Sequence, residues 1–117
     1  MSPLAGERCV ACRRDALRSE PAEIAALRSE VPDWDLREED GIPRLTRVFL
    51  FPDFAKALAF TDRVGALAEA EGHHPALVTE WGRVTVSWWT HAVGGLHRND
   101  FVMAAKTDGL ARPAPRS

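Results

Sequence analysis

The sequence has little net charge, few cysteines and no long apolar segment. Its 117 residues carry a formal charge of −2 at pH 7, which gives no broad attraction to nucleic acid or to an anionic membrane. No apolar run approaches the ~20 residues of a membrane-spanning helix, and no signal peptide opens the chain. Two cysteines without an export signal favour a reducing cytoplasm. We therefore expect a cytoplasmic protein with no membrane partner and no direct nucleic-acid partner.

The composition is typical of one globular domain, with 45% hydrophobic and 27% charged residues. We expect a flexible segment over residues 1–18, a single domain over residues 19–109 and a disordered tail over residues 110–117. Cys9 and Cys12 in the first segment have the C-x-x-C spacing. This spacing is found in zinc half-sites and redox pairs, although a terminal segment without chemistry is the simpler interpretation.

Hydrophobic periodicity predicts three helices and four strands. The predicted elements are a helix over residues 21–30, strands around residues 34–37 and over 42–51, a helix over 54–71, strands over 75–80 and 83–89, and a helix over 98–107. Asp40-Gly41 and Trp81-Gly82 predict two hairpin turns. The expected fold is α+β, a four-stranded antiparallel sheet with three helices on one face in the order α-β-β-α-β-β-α. The open face and edges predict self-association, as a homodimer or else a homotetramer.

Alternation and helical spacing also predict which side chains face the core. Trp34 and Leu36 should make the first strand half-buried, and the apolar stripe of the long helix should include Phe54 and Leu58. In the last strand, Val84, Val86 and Trp88 should point inward, with Trp89 on the open face.

Three of the four histidines lie in two short stretches. Gly72 is a natural helix terminator, so His73 and His74 should follow the carboxyl end of the long helix, one turn after Glu69. If Trp81 and Gly82 form the turn, His74 faces Trp89, His73 faces Thr90 and Gly72 faces His91. The three imidazoles should then gather at one end of the second hairpin. They could form a zinc site, a metal-free acid/base cluster or a cluster without function.

The spacing of these residues resembles the pterin-4a-carbinolamine dehydratase family. Glu69-x-x-x-His73-His74-Pro75 is followed by Trp81, His91 and Asp100 at the family's intervals. The likeness also includes Pro32-Asp33-Trp34, Phe51-Pro52-Asp53-Phe54 and Leu96-His97-Arg98-Asn99-Asp100-Phe101, and it covers about residues 8–109. Trp88-Trp89-Thr90-His91 is similar to the bacterial form associated with phenylalanine hydroxylase.

The resemblance implies a metal-free enzyme without a cofactor that dehydrates 4a-hydroxytetrahydrobiopterin. It would recycle the pterin used by an aromatic amino acid hydroxylase. His73 and His91 would then be the catalytic acid/base pair, and His74, also catalytic, would bind and orient the pterin and take some share in proton transfer. Substrate-binding residues by the same resemblance are Glu69, Gly72, Trp89, Thr90, Ala92 and Asp100. Gly72 and Ala92 depart from relatives that carry acidic or polar residues there. The alternative is a non-catalytic regulator, transcriptional cofactor or assembly factor with the same fold.

Overall fold

Residues 3–6, 21–90 and 95–111 are described in the computed structural model of the protein. The elements are a 3-10 turn Pro3–Gly6, helices α1 (Pro21–Arg28), α2 (Phe54–Glu71) and α3 (Arg98–Ala111), and strands β1 (Asp35–Glu39), β2 (Ile42–Leu50), β3 (Ala76–Glu80) and β4 (Arg83–Trp88). The strands form one antiparallel sheet in the order β1-β2-β4-β3. The predicted fold class and element order are confirmed.

Two tight turns set the register of the sheet. Asp40 and Gly41 both have positive φ angles, 53° and 77°, as a two-residue hairpin turn of the favoured type requires. In the second hairpin Glu80 pairs with Arg83, which confirms the predicted register. The ladder ends at the pair of Ala76 with Ser87.

The predicted pairs of His74 with Trp89 and of His73 with Thr90 are wrong. β3 begins only at Ala76, because Pro75 before it has no amide to donate to a ladder. The backbone of Thr90 instead pairs with Gly95, with N···O distances of 2.8 and 3.4 Å. The histidines are therefore brought to the end of the sheet by a loop and not by strand pairing.

The core lies between the helices and one face of the sheet. As predicted, Val84, Val86 and Trp88 of β4 are fully buried. They pack with a cluster that includes Leu45, Phe49, Ala57, Phe60, Val64, Ala68, Phe101 and Met103. Three large apolar side chains on the opposite face, Val48, Leu50 and Val78, are exposed.

Two burial predictions are wrong. All five residues of β1, one of the two edge strands of the sheet, are exposed, including Leu36. Phe54 and Leu58 of α2 are each 45% exposed, since the buried stripe of the helix follows Ala57, Phe60, Val64 and Ala68. Trp34, immediately before β1, is buried, and its indole N–H donates to Asp108 Oδ1 at 2.8 Å.

The structure describes a few residues of each segment that the sequence predicts to be loose. In the predicted flexible segment, Leu4 is buried in the core and Lys106 Nζ donates to Ala5 O at 2.8 Å. α3 continues to Ala111, four residues beyond the predicted end of the helix. Cys9 and Cys12 lie outside the described residues. Among the described residues, no helix is long and apolar enough to cross a membrane.

Candidate active site

The end of α2 turns His73 toward the core and His74 toward solvent. Gly72 ends the helix in the left-handed conformation, with φ 66° and ψ 29°, and its amide donates to Ala68 O. The amide of His73 also donates to Ala68 O, at 3.2 Å. This reversal separates two adjacent imidazoles, because His73 is 6% exposed whereas His74 is exposed.

Asp100, at the start of α3, holds the buried imidazole of His73. The carboxylate is fully buried, and its Oδ1 lies 2.7 Å from His73 Nε2. Its Oδ2 accepts a hydrogen bond from Thr90 Oγ1 at 2.8 Å and from the amide of His97 at 2.9 Å. A buried carboxylate is stabilised by such donors. Asp100 therefore joins three segments of the chain at one point.

The partners of Asp100 determine the orientation of the His73 ring. An ionised carboxylate only accepts hydrogen bonds, so His73 Nε2 carries a hydrogen and donates it. Nδ1 is then the nitrogen that can gain and release a proton. The face of the His73 ring stacks on Trp88, with the two ring centroids 5.7 Å apart and the ring planes inclined by 8°.

His97, the fourth histidine, caps α3. Its Nδ1 accepts the amide of Asn99 at 3.1 Å, while its own amide donates to Asp100. This is the reciprocal arrangement of a capping box, in which an acidic residue follows the cap by three positions. The sequence contains that spacing, so the role of His97 was detectable, but sequence reasoning assigned it no function.

His74 forms a separate, exposed pair with Glu69. His74 Nε2 and Glu69 Oε1 are 2.6 Å apart, one turn from the end of α2. Their side chains are 58% and 79% exposed, so solvent screens the pair and it contributes little to stability. The arrangement leaves the His74 ring oriented but accessible.

Trp89 and Thr90 lie side by side in sequence but have different surroundings. Thr90 is buried beside Asp100, whereas the Trp89 ring is covered by the guanidinium of Arg44, 3.9 Å from its centroid. His91 and Ala92 lie outside the described residues. Within the described ranges, no group of three histidine, cysteine, aspartate or glutamate side chains is placed to hold a metal ion.

Comparison with known proteins gives a consistent assignment. A family profile described as pterin 4 alpha carbinolamine dehydratase matches residues 18–110. A protein of Chlorobium limicola, provisionally named pterin-4-alpha-carbinolamine dehydratase, is 62% identical over 110 residues, which cover 94% of this chain and 97% of that protein.

Solved structures agree with the sequence comparison. The crystal structure of a transcriptional coactivator/pterin dehydratase from Brucella melitensis has a TM-score of 0.73 at 30% identity, covering 82% of this chain and all of the other. A pterin dehydratase-like protein described as a RuBisCO assembly factor in the alpha-carboxysome has a TM-score of 0.59 at 26% identity, covering 70% of this chain and 93% of the other.

Fold and site together define a small α+β protein with a buried imidazole–carboxylate pair at the end of its sheet. The chain belongs to the pterin-4a-carbinolamine dehydratase family.

Proposed function

We propose that this protein dehydrates a 4a-hydroxytetrahydropterin to the quinonoid dihydropterin and water. In this elimination the bond from C4a to the hydroxyl oxygen breaks and the proton on N5 is lost, so that a C4a–N5 double bond forms. The reaction needs an acid for the departing hydroxyl and a base for the N5 proton. The observation that carries the proposal is the buried His73–Asp100 pair in a chain of this family.

In the proposed reaction His73 transfers a proton through Nδ1. Its Nε2 stays hydrogen-bonded to Asp100 throughout, so the ring does not need to turn between proton uptake and release. Asp100 therefore acts through His73.

The remaining assignments follow the family resemblance. His91 would be the second member of the acid/base pair, and His74, oriented by Glu69, would bind the pterin. Gly72, Trp89, Thr90 and Ala92 would surround the substrate. The proposed setting is the cytoplasm, where the enzyme would serve an aromatic amino acid hydroxylase, as in phenylalanine breakdown.

Stopped-flow absorbance with chemically generated 4a-hydroxytetrahydropterin tests the activity. We expect wild-type protein to exceed the spontaneous rate, and His73→Gln to lose about 100-fold in kcat. The glutamine amide can donate to Asp100 as Nε2 does but cannot transfer a proton, so the variant should remain folded. His73→Ala should lose activity similarly. A wild-type rate equal to the spontaneous rate would refute the proposal.

A binding role on the same fold is the second candidate. Val48, Leu50 and Val78 form an exposed apolar patch on the sheet face away from the helices. Such a patch can serve self-association or a protein partner. We propose that the protein forms a homodimer, or else a homotetramer. Sedimentation equilibrium would measure the mass of the assembly. If His73→Gln abolished turnover but left a partner complex intact, the two roles would be separate.

A further inference from the structure

The flat face of Trp88 supports the ring of His73. The two rings are nearly parallel, with planes 8° apart and centroids 5.7 Å apart, which is the distance range of offset stacking. Trp88 is fully buried, so its indole cannot move without disturbing the core. Sequence reasoning treated Trp88 as a core residue only.

Thr107 fixes the indole of Trp88 in its own plane. The indole N–H donates to Thr107 Oγ1 at 3.2 Å. Thr107 uses its single hydroxyl hydrogen to donate to Met103 O at 2.6 Å, which leaves the oxygen free to accept from Trp88. Both Trp88 and Thr107 are completely buried, so this hydrogen-bond chain has no competing solvent.

Asp100 and Thr107 are seven residues apart on α3, which places them two turns apart on one side of the helix. Asp100 holds the edge of the His73 ring, and Thr107 holds the indole on which its face rests. The hydrogen bond to Asp100 alone would still let the imidazole rock about that bond. A flat surface against the ring removes this motion.

We propose that Trp88 and Thr107 are positioning residues that fix the plane of the His73 ring for proton transfer. This inference rests on the proposed function of His73. Because the Nδ1 lone pair lies in the ring plane, a tilted ring directs it away from the reacting atom. Misplacement of a catalytic group by about 1 Å costs up to ~100-fold in rate. The loss should fall on kcat and not on KM, since neither residue touches the substrate.

Two pairs of variants test the inference. Trp88→Phe keeps a flat face and should retain kcat within about 3-fold, whereas Trp88→Leu removes the face and should lower kcat about 10-fold or more. Thr107→Val removes the acceptor for the indole N–H and should also lower kcat. Thr107→Ser keeps the hydroxyl and should retain the wild-type kcat. Thr46→Val is the control, because Thr46 is a buried threonine on the sheet face away from His73, where it contacts Ser87. It should keep the wild-type kcat.

An NMR measurement separates this inference from the proposed function. The carbon-bound protons of His73, assigned with His73→Gln, should show an upfield ring-current shift that Trp88→Leu abolishes. Wild-type protein without turnover would overturn the proposed function. If Trp88→Leu lost the ring-current shift but kept the wild-type kcat, the positioning role alone would be overturned. Equal losses of kcat in Trp88→Phe and Trp88→Leu would overturn it as well.

Discussion

At the scale of single residues, Asp100 determines which nitrogen of His73 is held in a hydrogen bond and which one is left for the proposed reaction. An ionised Asp100, whose Oδ2 accepts from Thr90 and from the amide of His97, can only accept from His73 at Oδ1, and this assigns the hydrogen to Nε2. The distances from Asp100 to its partners are short, between 2.7 and 2.9 Å, as expected for charge-assisted bonds. The side chain is thus both a structural junction and the orienting group of the proposed catalytic residue.

Asp100→Asn should impair both activity and stability. An amide can accept at one oxygen only, so its NH₂ group must face a donor, either His73 Nε2–H or Thr90 and the amide of His97. We expect kcat to fall about 10-fold or more, and the free energy of unfolding to fall by ~1–3 kcal/mol. Stopped-flow kinetics and urea unfolding measure the two effects. Asp108→Asn, the same change two turns later on α3, should keep the wild-type kcat.

Asp108 gives a pH-dependent contribution to stability. Burial raises its pKa above the ordinary value, and this outweighs the opposing hydrogen bonds and positive charge from Trp34 and Arg47; the neighbouring Asp33 adds to the increase. Because the folded protein binds this proton more tightly than the unfolded chain, the contribution of Asp108 to stability is present at acid pH. It is lost as the pH rises through the pKa of the folded state.

The unfolding free energy of wild type should therefore exceed that of Asp108→Asn by a larger margin at pH 4 than at pH 7. Urea unfolding at the two pH values measures this margin. Asp35→Asn is the control, because Asp35 is 68% exposed and is not one of the groups that shift the pKa of Asp108. A difference that grew toward pH 7 would contradict the assignment.

At the scale of secondary structure, the end of α2 determines where both adjacent histidines go. Gly72 has φ 66°, a conformation that side chains with a Cβ rarely adopt, and this reversal directs His73 inward and His74 outward. Asp53 begins the same helix by accepting the amide of Lys56 at 2.8 Å. The helix is therefore bounded by two local signals, and its boundaries follow from sequence.

Two glycine-to-alanine changes in this helix should have opposite effects. Gly72→Ala should lower the unfolding free energy by ~1–2 kcal/mol, because the backbone is left-handed there while a Cβ would meet nothing within 4 Å. Gly65→Ala, inside α2 and equally free of obstruction, should raise it by ~0.5–1 kcal/mol. Thermal and urea unfolding test both. Destabilisation of similar size at the two positions would contradict the role of the left-handed backbone at Gly72.

At the scale of the whole molecule, α3 is the element on which distant parts of the chain converge. Its side chains contact Ala5 near the amino end, Trp34 before β1, Arg47 of β2 and His73 after α2. Leu4 completes the core although it is the fourth residue of the chain. Stability and site geometry therefore depend on the same helix.

Leu4→Ala should destabilise the protein by ~2 kcal/mol, at the low end of core leucine truncations because the chain end can partly relax. Leu58→Ala is the matched control, since Leu58 is 45% exposed on α2, away from the apolar patch of the sheet, and its truncation should change stability by less than ~1 kcal/mol. Urea unfolding of the two variants gives the comparison. Equal effects would show that the segment containing Leu4 does not pack in the core in solution.

The sequence by itself determined the elements whose signals are local. Asp40-Gly41, the Asp53 cap, Gly72 and the alternation of β4 each act over a few residues, so turns, helix boundaries and inward faces could be predicted. It also brought His73 and Thr90 to the same end of the second hairpin, although the strand pairing predicted for them is wrong. The exposure of Leu36 could not be predicted, because Leu36 alternates like a core residue but lies on an edge strand of the sheet.

Only the tertiary structure decided how the candidate site is connected. The pairing of His73 with Asp100, 27 residues later, and the stacking of His73 on Trp88 arise from packing α3 against the end of the sheet. No local pattern encodes such a contact, since it depends on the distance and tilt between elements that the whole core sets. The sequence therefore predicted candidate residues for the site, whereas the atom of His73 that faces Asp100 is known only from the tertiary structure.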